Sequence, residues 1–84
     1  MNDCVYILEC ADGSFYTGWT NDIDKRLAAH SAGRGSRYTR SRLPVTLRYT
    51  EVCAGRSEAM RREQEIKALS RADKLRLVEN DPSQ

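Results

Sequence analysis

The sequence predicts an α+β domain in which a small three-stranded antiparallel sheet is flanked by helices, in the order ββαβαα. Two β-prone runs joined by a short glycine-containing turn predict a hairpin at the start of the chain. Capping residues mark the starts of three later helices, and a β-prone run after Pro44 supplies the third strand. With 84 residues, of which 39% are hydrophobic, the chain fits one domain, 1–84, with a modest core.

The predicted hairpin joins residues 4–10 to residues 14–20, and its turn decides which side chains share a face of the sheet. A two-residue turn, Asp12-Gly13, would place the tyrosines of the two strands on opposite faces. A three-residue turn that includes Ala11, with Gly13 in the left-handed conformation, places them on the same face.

The three-residue turn is favoured because it gathers the apolar side chains on one face of the hairpin. That apolar face carries Val5, Ile7, Phe15 and Trp19. The other face carries Tyr6, Leu8, Tyr16 and Gly18. In this register Leu8 pairs with Tyr16, and Tyr6 pairs with Gly18, which leaves open space beside the Tyr6 ring.

The middle of the chain contains one predicted helix and one predicted loop. Asp22 is the expected N-cap of a helix over 22–32, which Gly33 ends. Residues 33–42 are expected to form a loop with a short helical turn near 38–41.

A third strand over 46–53 and two helices are predicted for the remainder of the chain. Ser57 is the expected cap of a helix over 58–69, and Ser70 is the expected cap of a last helix over 71–79.

Charge is unevenly distributed along the chain, although its net value is only +2. Residues 1–24 hold five acids and no base, whereas residues 25–48 hold seven bases, six of them arginine, and no acid. A solvated, arginine-rich loop is the ordinary explanation of such a run. The complete absence of acids favours a polyanionic partner, most simply nucleic acid. The predicted contact residues are Lys25, Arg34, Arg37, Tyr38, Arg40 and Arg42.

Three cysteines, Cys4, Cys10 and Cys53, occur without a Cys-x-x-Cys pair. They predict free thiols in half-buried strands of a reduced, cytoplasmic protein, in preference to a disulfide framework or a zinc site. No run approaches the roughly 20 apolar residues of a membrane span. Met1-Asn2-Asp3 has neither the basic nor the apolar region of a signal peptide. We therefore expect no membrane partner.

One carboxylate, Glu63, occupies an inward position in the predicted 58–69 helix. It lies four residues after Ala59 and three before Ile66, the two residues that mark the inward face. An inward carboxylate is costly unless it is paired or binds a metal. A structural salt bridge to Arg62 or to a neighbouring strand is the alternative to a functional role.

These residues together resemble the GIY-YIG nuclease superfamily over roughly residues 4–78. The matching residues are Val5-Tyr6-Ile7 and Tyr16-Thr17-Gly18 for the two short motifs, Arg26 and His30 for the first helix, and Glu63 for a later helix. Each motif is weak alone, whereas their order and spacing form a specific set. The pattern is also similar to a subgroup of small stand-alone bacterial proteins.

The resemblance implies a metal-dependent endonuclease that hydrolyses nucleic-acid phosphodiester bonds, DNA in preference to RNA, in repair, recombination or processing. Glu63 would hold one divalent cation, Mg²⁺ or Mn²⁺. Tyr16, or in second place Tyr6, would orient or deprotonate the attacking water. Tyrosine titrates near pH ~10 when unperturbed, so such a base needs positive neighbours that lower its pKa. Arg26 would supply that field and stabilise charge on the phosphate.

For His30 the resemblance leaves several roles open. It could orient Tyr16, contact the scissile phosphate or assist proton transfer, and a helix-capping histidine is the structural alternative. Tyr38 lies where several relatives carry a tyrosine or histidine near the cleft. Many relatives also carry an asparagine after the metal-binding helix, whereas Asn80 here lies near the end of the chain.

Three functional hypotheses follow from these residues. The first is a metal-dependent nuclease. Because relatives with defined targets carry an additional DNA-binding domain or a large insertion, its activity is expected to be weak, low in specificity or dependent on a protein partner that supplies specificity. The second is a nucleic-acid-binding accessory module with weak or no catalysis. The third is a protein-interaction or structural domain that shares only the fold. The sequence does not fix the oligomeric state.

Overall fold

A computed structural model describes residues 2–80 of the chain. Its elements are β1 (Cys4–Glu9), β2 (Phe15–Thr20), α1 (Ile23–Ser31), α2 (Arg37–Arg40), β3 (Thr46–Val52), α3 (Arg56–Lys67) and α4 (Arg71–Glu79). The predicted α+β class and element order are confirmed, with the short helix α2 added between α1 and β3.

Strand β1 lies at the centre of the sheet, between β2 and β3, and pairs antiparallel with both. The hairpin has the predicted register, with Tyr6 opposite Gly18 and Leu8 opposite Tyr16. Gly13 adopts the left-handed conformation that the three-residue turn requires, with φ of 84°. The two tyrosines therefore lie on the same face of the sheet.

The apolar face of the hairpin packs against the last two helices. Val5 and Ile7 of β1 are fully buried in a core that includes Ala59, Ile66 and Val78. Phe15 and Trp19 of β2 border this core, as their place on the apolar face predicts. Helices α3 and α4 thus cover one side of the sheet.

Helices α1 and α2 lie on the opposite, tyrosine-bearing face. His30, in the last turn of α1, contacts the Tyr6 ring, and Thr39 of α2 hydrogen bonds to His30. Tyr6 and Leu8 are both buried as a result, at 1% and 0% exposure. Because both faces of β1 are covered, the central strand is almost continuously buried.

The helix starts agree with the capping residues in two of the three predicted cases. Asp22 accepts a hydrogen bond from the Lys25 amide, and Ser70 accepts one from the Asp73 amide. The third prediction is wrong, because α3 begins before Ser57.

The N-cap of α3 is Gly55, which has no side chain to accept a hydrogen bond, and Ser57 lies within the first turn. The helical turn expected near 38–41 is present as α2, which begins one residue earlier, after the Ser36 cap.

Cys4, Cys10 and Cys53 are free thiols, as predicted, but they are buried and not half-buried. Cys4 lies in β1, whereas Cys10 and Cys53 directly follow β1 and β3. Within residues 2–80, no helix has the length and apolar character needed to cross a membrane.

Candidate active site

A cavity of about 250 Å³ lies at the β2 edge of the sheet, where residues from both faces line it. It brings together four of the five residues singled out for the chemistry, each from a different element. Those four are Tyr6 from β1, Tyr16 from β2, Arg26 from α1 and Glu63 from α3. Residues up to 57 positions apart in the chain therefore share one opening, since 63 − 6 = 57.

Gly18 leaves the room that the Tyr6 ring occupies at the cavity. A Cβ atom built on Gly18 would lie 2.5 Å from the Tyr6 hydroxyl oxygen, so any larger residue would collide with it. The open space that the hairpin register predicted beside Tyr6 is thus filled by the Tyr6 ring itself.

Burial decides the acidity of Tyr6. Its loss of solvation raises the pKa to about 12, and nearby Tyr16 adds to the rise. Arg26 acts in the opposite direction, through its charge and as a hydrogen-bond donor, but does not outweigh burial. Arg26 thus lowers the pKa of Tyr6, as expected of a positive neighbour, but burial keeps that pKa above the usual value of a tyrosine.

His30 lies behind the cavity and has no exposed surface. Its Nε2 lies 2.9 Å from the Tyr6 hydroxyl and its Nδ1 lies 2.8 Å from Thr39 Oγ1. Both ring nitrogens are thus used by side chains, and the ring does not cap the end of α1. Contact with a phosphate is excluded by burial, and its hydrogen bond goes to Tyr6 and not to Tyr16.

Tyr16 is held between rings on two sides. The edge of the His30 ring lies against it, with centroids 5.3 Å apart, and Tyr38 stacks on it at 6.0 Å. The Arg42 guanidinium covers the Tyr38 ring at 3.9 Å. Arg42 also donates from Nε to Asp12 at 3.0 Å, which ties this stack to the hairpin turn.

The interactions of Arg42 and Arg48 change the interpretation of the acid-free block. Arg42 pairs with Asp12, and Arg48 pairs with Glu9 at 3.3 Å. Acids of the N-terminal segment thus partly neutralise the charge of residues 25–48. The order of charges along the sequence does not show these contacts. Arg42 therefore has a structural role in supporting the tyrosine stack, and its contact with nucleic acid stays a prediction.

The remaining predicted basic residues point into solvent near α1 and α2. All of them are exposed, and none forms an ion pair within residues 2–80: Lys25, Arg34, Arg37 and Arg40. They form a surface that we call the basic rim, defined by these four residues. Tyr38, at 36% exposure, lies within the same loop region.

Glu63 is the carboxylate that lines the cavity, and its side chain is 15% exposed. The salt bridge considered for it, to Arg62 or a neighbouring strand, is not formed, because Arg62 turns to Glu51 at 2.9 Å and to Glu65 at 3.2 Å. Glu63 instead forms a long salt bridge of 3.8 Å with Lys67, which is half-exposed. One oxygen of Glu63 also accepts a hydrogen bond from Gln64.

The donor set at the cavity fits a hard cation that keeps most of its water. Glu63 offers one carboxylate, and no group of three or more His, Cys, Asp or Glu side chains suited to a metal occurs within residues 2–80. Mg²⁺ is bound in this way, through one or two carboxylates, several waters and substrate phosphates. A closed tetrahedral zinc site would need more ligands than the cavity offers.

Several residues of the site had no signal in the sequence. Thr39 is fully buried beside His30, and Gly35 packs so closely on the His30 ring that a Cβ would overlap it. Trp19 and Asn21 also line the cavity. Asn80 does not: it is the exposed C-cap of α4.

The fold and this cavity together define a class of protein: a small α+β domain in which paired tyrosines, an arginine and a glutamate share one cleft. The model of the GIY-YIG catalytic domain matches residues 2–76, and the chain belongs to this family. Membership implies a nuclease family.

The chain is similar over most of its length to UPF0213 proteins. A UPF0213 protein of Halobacterium salinarum is 60% identical over 70 residues, which cover 83% of this chain and 91% of the relative. One from Staphylococcus haemolyticus is 52% identical over 75 residues, covering 89% and 92%. The solution NMR structure of a UPF0213 protein from Bacillus halodurans is 52% identical with a TM-score of 0.60, covering 94% and 84%. The predicted subgroup is thus confirmed, and it extends to archaea.

Proposed function

We propose that the chain is a divalent-metal-dependent endonuclease that hydrolyses phosphodiester bonds in nucleic acid, DNA in preference to RNA. One observation carries this proposal: a single cavity gathers Tyr6, Tyr16, Arg26 and Glu63 from four separate elements. Folding alone does not require an arginine and a partly buried carboxylate to face two tyrosyl side chains. Repair, recombination or processing of DNA is the role proposed for this activity.

Glu63 is the residue that would hold the cation, Mg²⁺ or Mn²⁺. When bound, the cation would supply Lewis-acid stabilisation of the phosphate and lower the pKa of a bound water. The surroundings of Glu63 favour this use, because its half-exposed partner Lys67 lies at 3.8 Å and leaves the carboxylate turned to the cavity.

The other cavity residues have separate tasks in the proposed reaction. Arg26 is exposed at the cavity and stabilises the negative charge that grows on the phosphate oxygens. Tyr16, fixed between His30 and Tyr38, orients the attacking water. Tyr6 does not act as a free tyrosinate, since its pKa is about 12. Its hydroxyl is a fixed hydrogen-bonding group at the floor of the cavity.

The basic rim would hold the nucleic-acid backbone beside the cavity. Arginine and lysine contacts to phosphate position a nucleic acid but carry no sequence information directly. A low-specificity activity, or a protein partner that supplies specificity, follows from such contacts.

The proposal is tested by incubating the purified chain with single-stranded, duplex and branched DNA and with RNA, at low salt. Each substrate is combined with Mg²⁺, Mn²⁺ or EDTA, and Tyr16→Phe is run in parallel. We expect metal-dependent cleavage that is lost in EDTA and much reduced in Tyr16→Phe. Salt-sensitive binding without cleavage would instead support the accessory module, and absence of any polyanion affinity would support the interaction domain.

Substitution of Arg37 tests the basic rim separately from the chemistry. Arg37 is exposed and unpaired within residues 2–80, so Arg37→Gln removes one phosphate contact and little else. We expect weaker nucleic-acid binding on all sequences, with the slope of log K against log salt reduced by about 1. The measurement is a salt titration of binding by fluorescence anisotropy.

Arg76→Gln is the matched control for Arg37→Gln. Arg76 is an exposed arginine on α4 that pairs with Asp73 at 3.0 Å. Its loss should leave the salt slope unchanged. Equal effects of the two substitutions would show that binding follows net charge alone and not the basic rim.

A further inference from the structure

A continuous hydrogen-bonded row of three side chains leads from the Tyr6 hydroxyl, at the cavity floor, through His30 to Thr39 behind it. His30 Nε2 lies 2.9 Å from the Tyr6 hydroxyl, and His30 Nδ1 lies 2.8 Å from Thr39 Oγ1. Tyr6, His30 and Thr39 are at 1%, 0% and 0% exposure. Water therefore does not contact these three side chains directly. Each proton of the row has to be donated to another member of the row or to a neighbouring protein group.

The neighbours of Thr39 determine where its hydroxyl proton goes. Thr39 Oγ1 lies 2.9 Å from Ser36 Oγ and 3.4 Å from the Ser36 carbonyl oxygen. A carbonyl oxygen only accepts, so Thr39 can donate its one proton toward Ser36. Thr39 Oγ1 is then left as a hydrogen-bond acceptor toward His30 Nδ1, which lies 2.8 Å away, and this requires a proton on Nδ1.

The opposite end of the row leads to the same assignment. Arg26 lines the cavity together with Tyr6, its positive charge favours a lone pair of the Tyr6 oxygen over the hydroxyl proton on that side, and a guanidinium has no acceptor to offer. The Tyr6 proton is therefore best placed on His30 Nε2. A nitrogen that accepts cannot also carry a proton, so the imidazole proton belongs on Nδ1.

We propose that Thr39 is a positioning residue that fixes His30 in the Nδ1-protonated tautomer. His30 Nε2 then accepts the Tyr6 hydroxyl proton, and the Tyr6 oxygen presents its lone pairs toward the cavity. The consequence of this assignment for activity rests on the proposed function. Without this device a neutral imidazole is free to carry its proton on either nitrogen. The other tautomer would donate to Tyr6 and turn the Tyr6 proton toward the cavity.

Two further observations agree with this arrangement. Burial lowers the pKa of His30, and the charge of Arg26 adds to the effect, so the ring is neutral near pH 7 and has a tautomer to fix. Gly35 packs directly on the same ring and prevents it from turning out of the row.

The direct test is an imidazole ¹⁵N NMR spectrum of the full chain, without metal or nucleic acid. His30 is the chain's single histidine, so its two ring nitrogens are assigned without ambiguity. Protonated and unprotonated ring nitrogens resonate at well-separated shifts. We expect the wild type to carry its proton on Nδ1. A wild-type spectrum with the proton on Nε2 would overturn the proposal.

Three variants separate positioning from packing. Thr39→Val keeps the shape and removes the hydroxyl, and we expect the Nε2-protonated tautomer to become populated. Thr39→Ser keeps the hydroxyl and should restore the wild-type spectrum. Thr46→Val, at an exposed position in β3, is the control and should change nothing. Retention of pure Nδ1 protonation in Thr39→Val, or failure of Thr39→Ser to restore it, would contradict a role for the hydroxyl.

The same variants have a separate expected effect on cleavage. Thr39→Val should lower the cleavage rate by roughly ten- to a hundredfold, as a misdirected group at an active site does, and Thr39→Ser should recover most of it. The NMR spectra need no substrate, so the tautomer assignment and the nuclease function are tested independently of each other. An inactive wild type with Nδ1 protonation would leave the tautomer assignment standing and overturn the nuclease function.

Discussion

Glu63→Gln is expected to reduce metal-dependent cleavage by at least about a hundredfold while leaving the fold intact. Glutamine has nearly the same shape as glutamate but lacks the charge that a hard divalent cation needs. The Glu63 side chain is 15% exposed. Surrounding atoms therefore restrict its position, while its carboxylate can still be reached from the cavity. The measurement is a single-turnover cleavage assay in saturating Mg²⁺ or Mn²⁺.

Little loss of stability is expected in this variant. Glu63 has its charged neighbour Lys67 at 3.8 Å, with the lysine half-exposed, and such pairs contribute about 0–1 kcal/mol. Glu65→Gln is the matched control, because Glu65 lies on the same helix, pairs with Arg62 and does not line the cavity. Cleavage by Glu63→Gln at the rate of Glu65→Gln would contradict the assignment of Glu63 as the metal ligand.

Gly18→Ala is expected to have the largest effect on the architecture of the site. A Cβ at this position would lie 2.5 Å from the Tyr6 hydroxyl oxygen. The Tyr6 ring has little freedom to move away, because it is buried and its hydroxyl bonds to His30. We expect a loss of about 1–3 kcal/mol in the free energy of unfolding, as is typical of overpacking.

The same substitution should also impair cleavage, because any relief of the clash displaces the Tyr6 hydroxyl from the cavity floor. Urea unfolding and single-turnover cleavage, measured on the same preparation, give both effects. Gly55→Ala is the control, since a Cβ there meets nothing within 4 Å. Wild-type stability and cleavage in Gly18→Ala would show that the close approach of Tyr6 to Gly18 has no consequence.

The register of the hairpin was predictable because the pattern of apolar residues and the length of the turn favour the same strand pairing. The apolar residues of both strands share a face only in the register that a three-residue turn allows, and Gly13 can adopt the positive φ of 84° that this turn requires. The same register placed both tyrosines on one face before any long-range contact was considered.

The start of α3 was not predictable from the capping rule, because the rule favours a side chain that accepts a hydrogen bond and the residue that precedes this helix has none. Ser57 has the preferred side chain, yet the helix begins after Gly55, which makes no side-chain capping bond. The packing of Ala59 and Ile66 into the core determines how α3 lies on the sheet. Tertiary contacts therefore outweighed a local preference of about 1 kcal/mol.

The ion pairs of residues 25–48 were likewise not predictable, because they form between residues that are distant in the sequence. A linear sequence shows that residues 25–48 contain no acid. The pairing of β1 with β3 nevertheless brings Glu9 against Arg48, and the hairpin turn brings Asp12 against Arg42. Similarly, Thr39 and Gly35 resemble ordinary loop residues until the fold places them on His30. Contacts of this kind depend on the whole fold and leave no mark on spacing or composition.

The proposed site requires that one cavity hold both the carboxylate proposed to bind the metal and the tyrosines that face it. Its most direct test is a titration of the ¹⁵N-labelled chain with Mn²⁺, which broadens the amide signals of nearby residues. We expect broadening first at Glu63 and at the cavity residues Tyr16 and Gly18, and loss of that pattern in Glu63→Gln. Broadening centred on another part of the chain, or an unchanged pattern in the variant, would contradict the account.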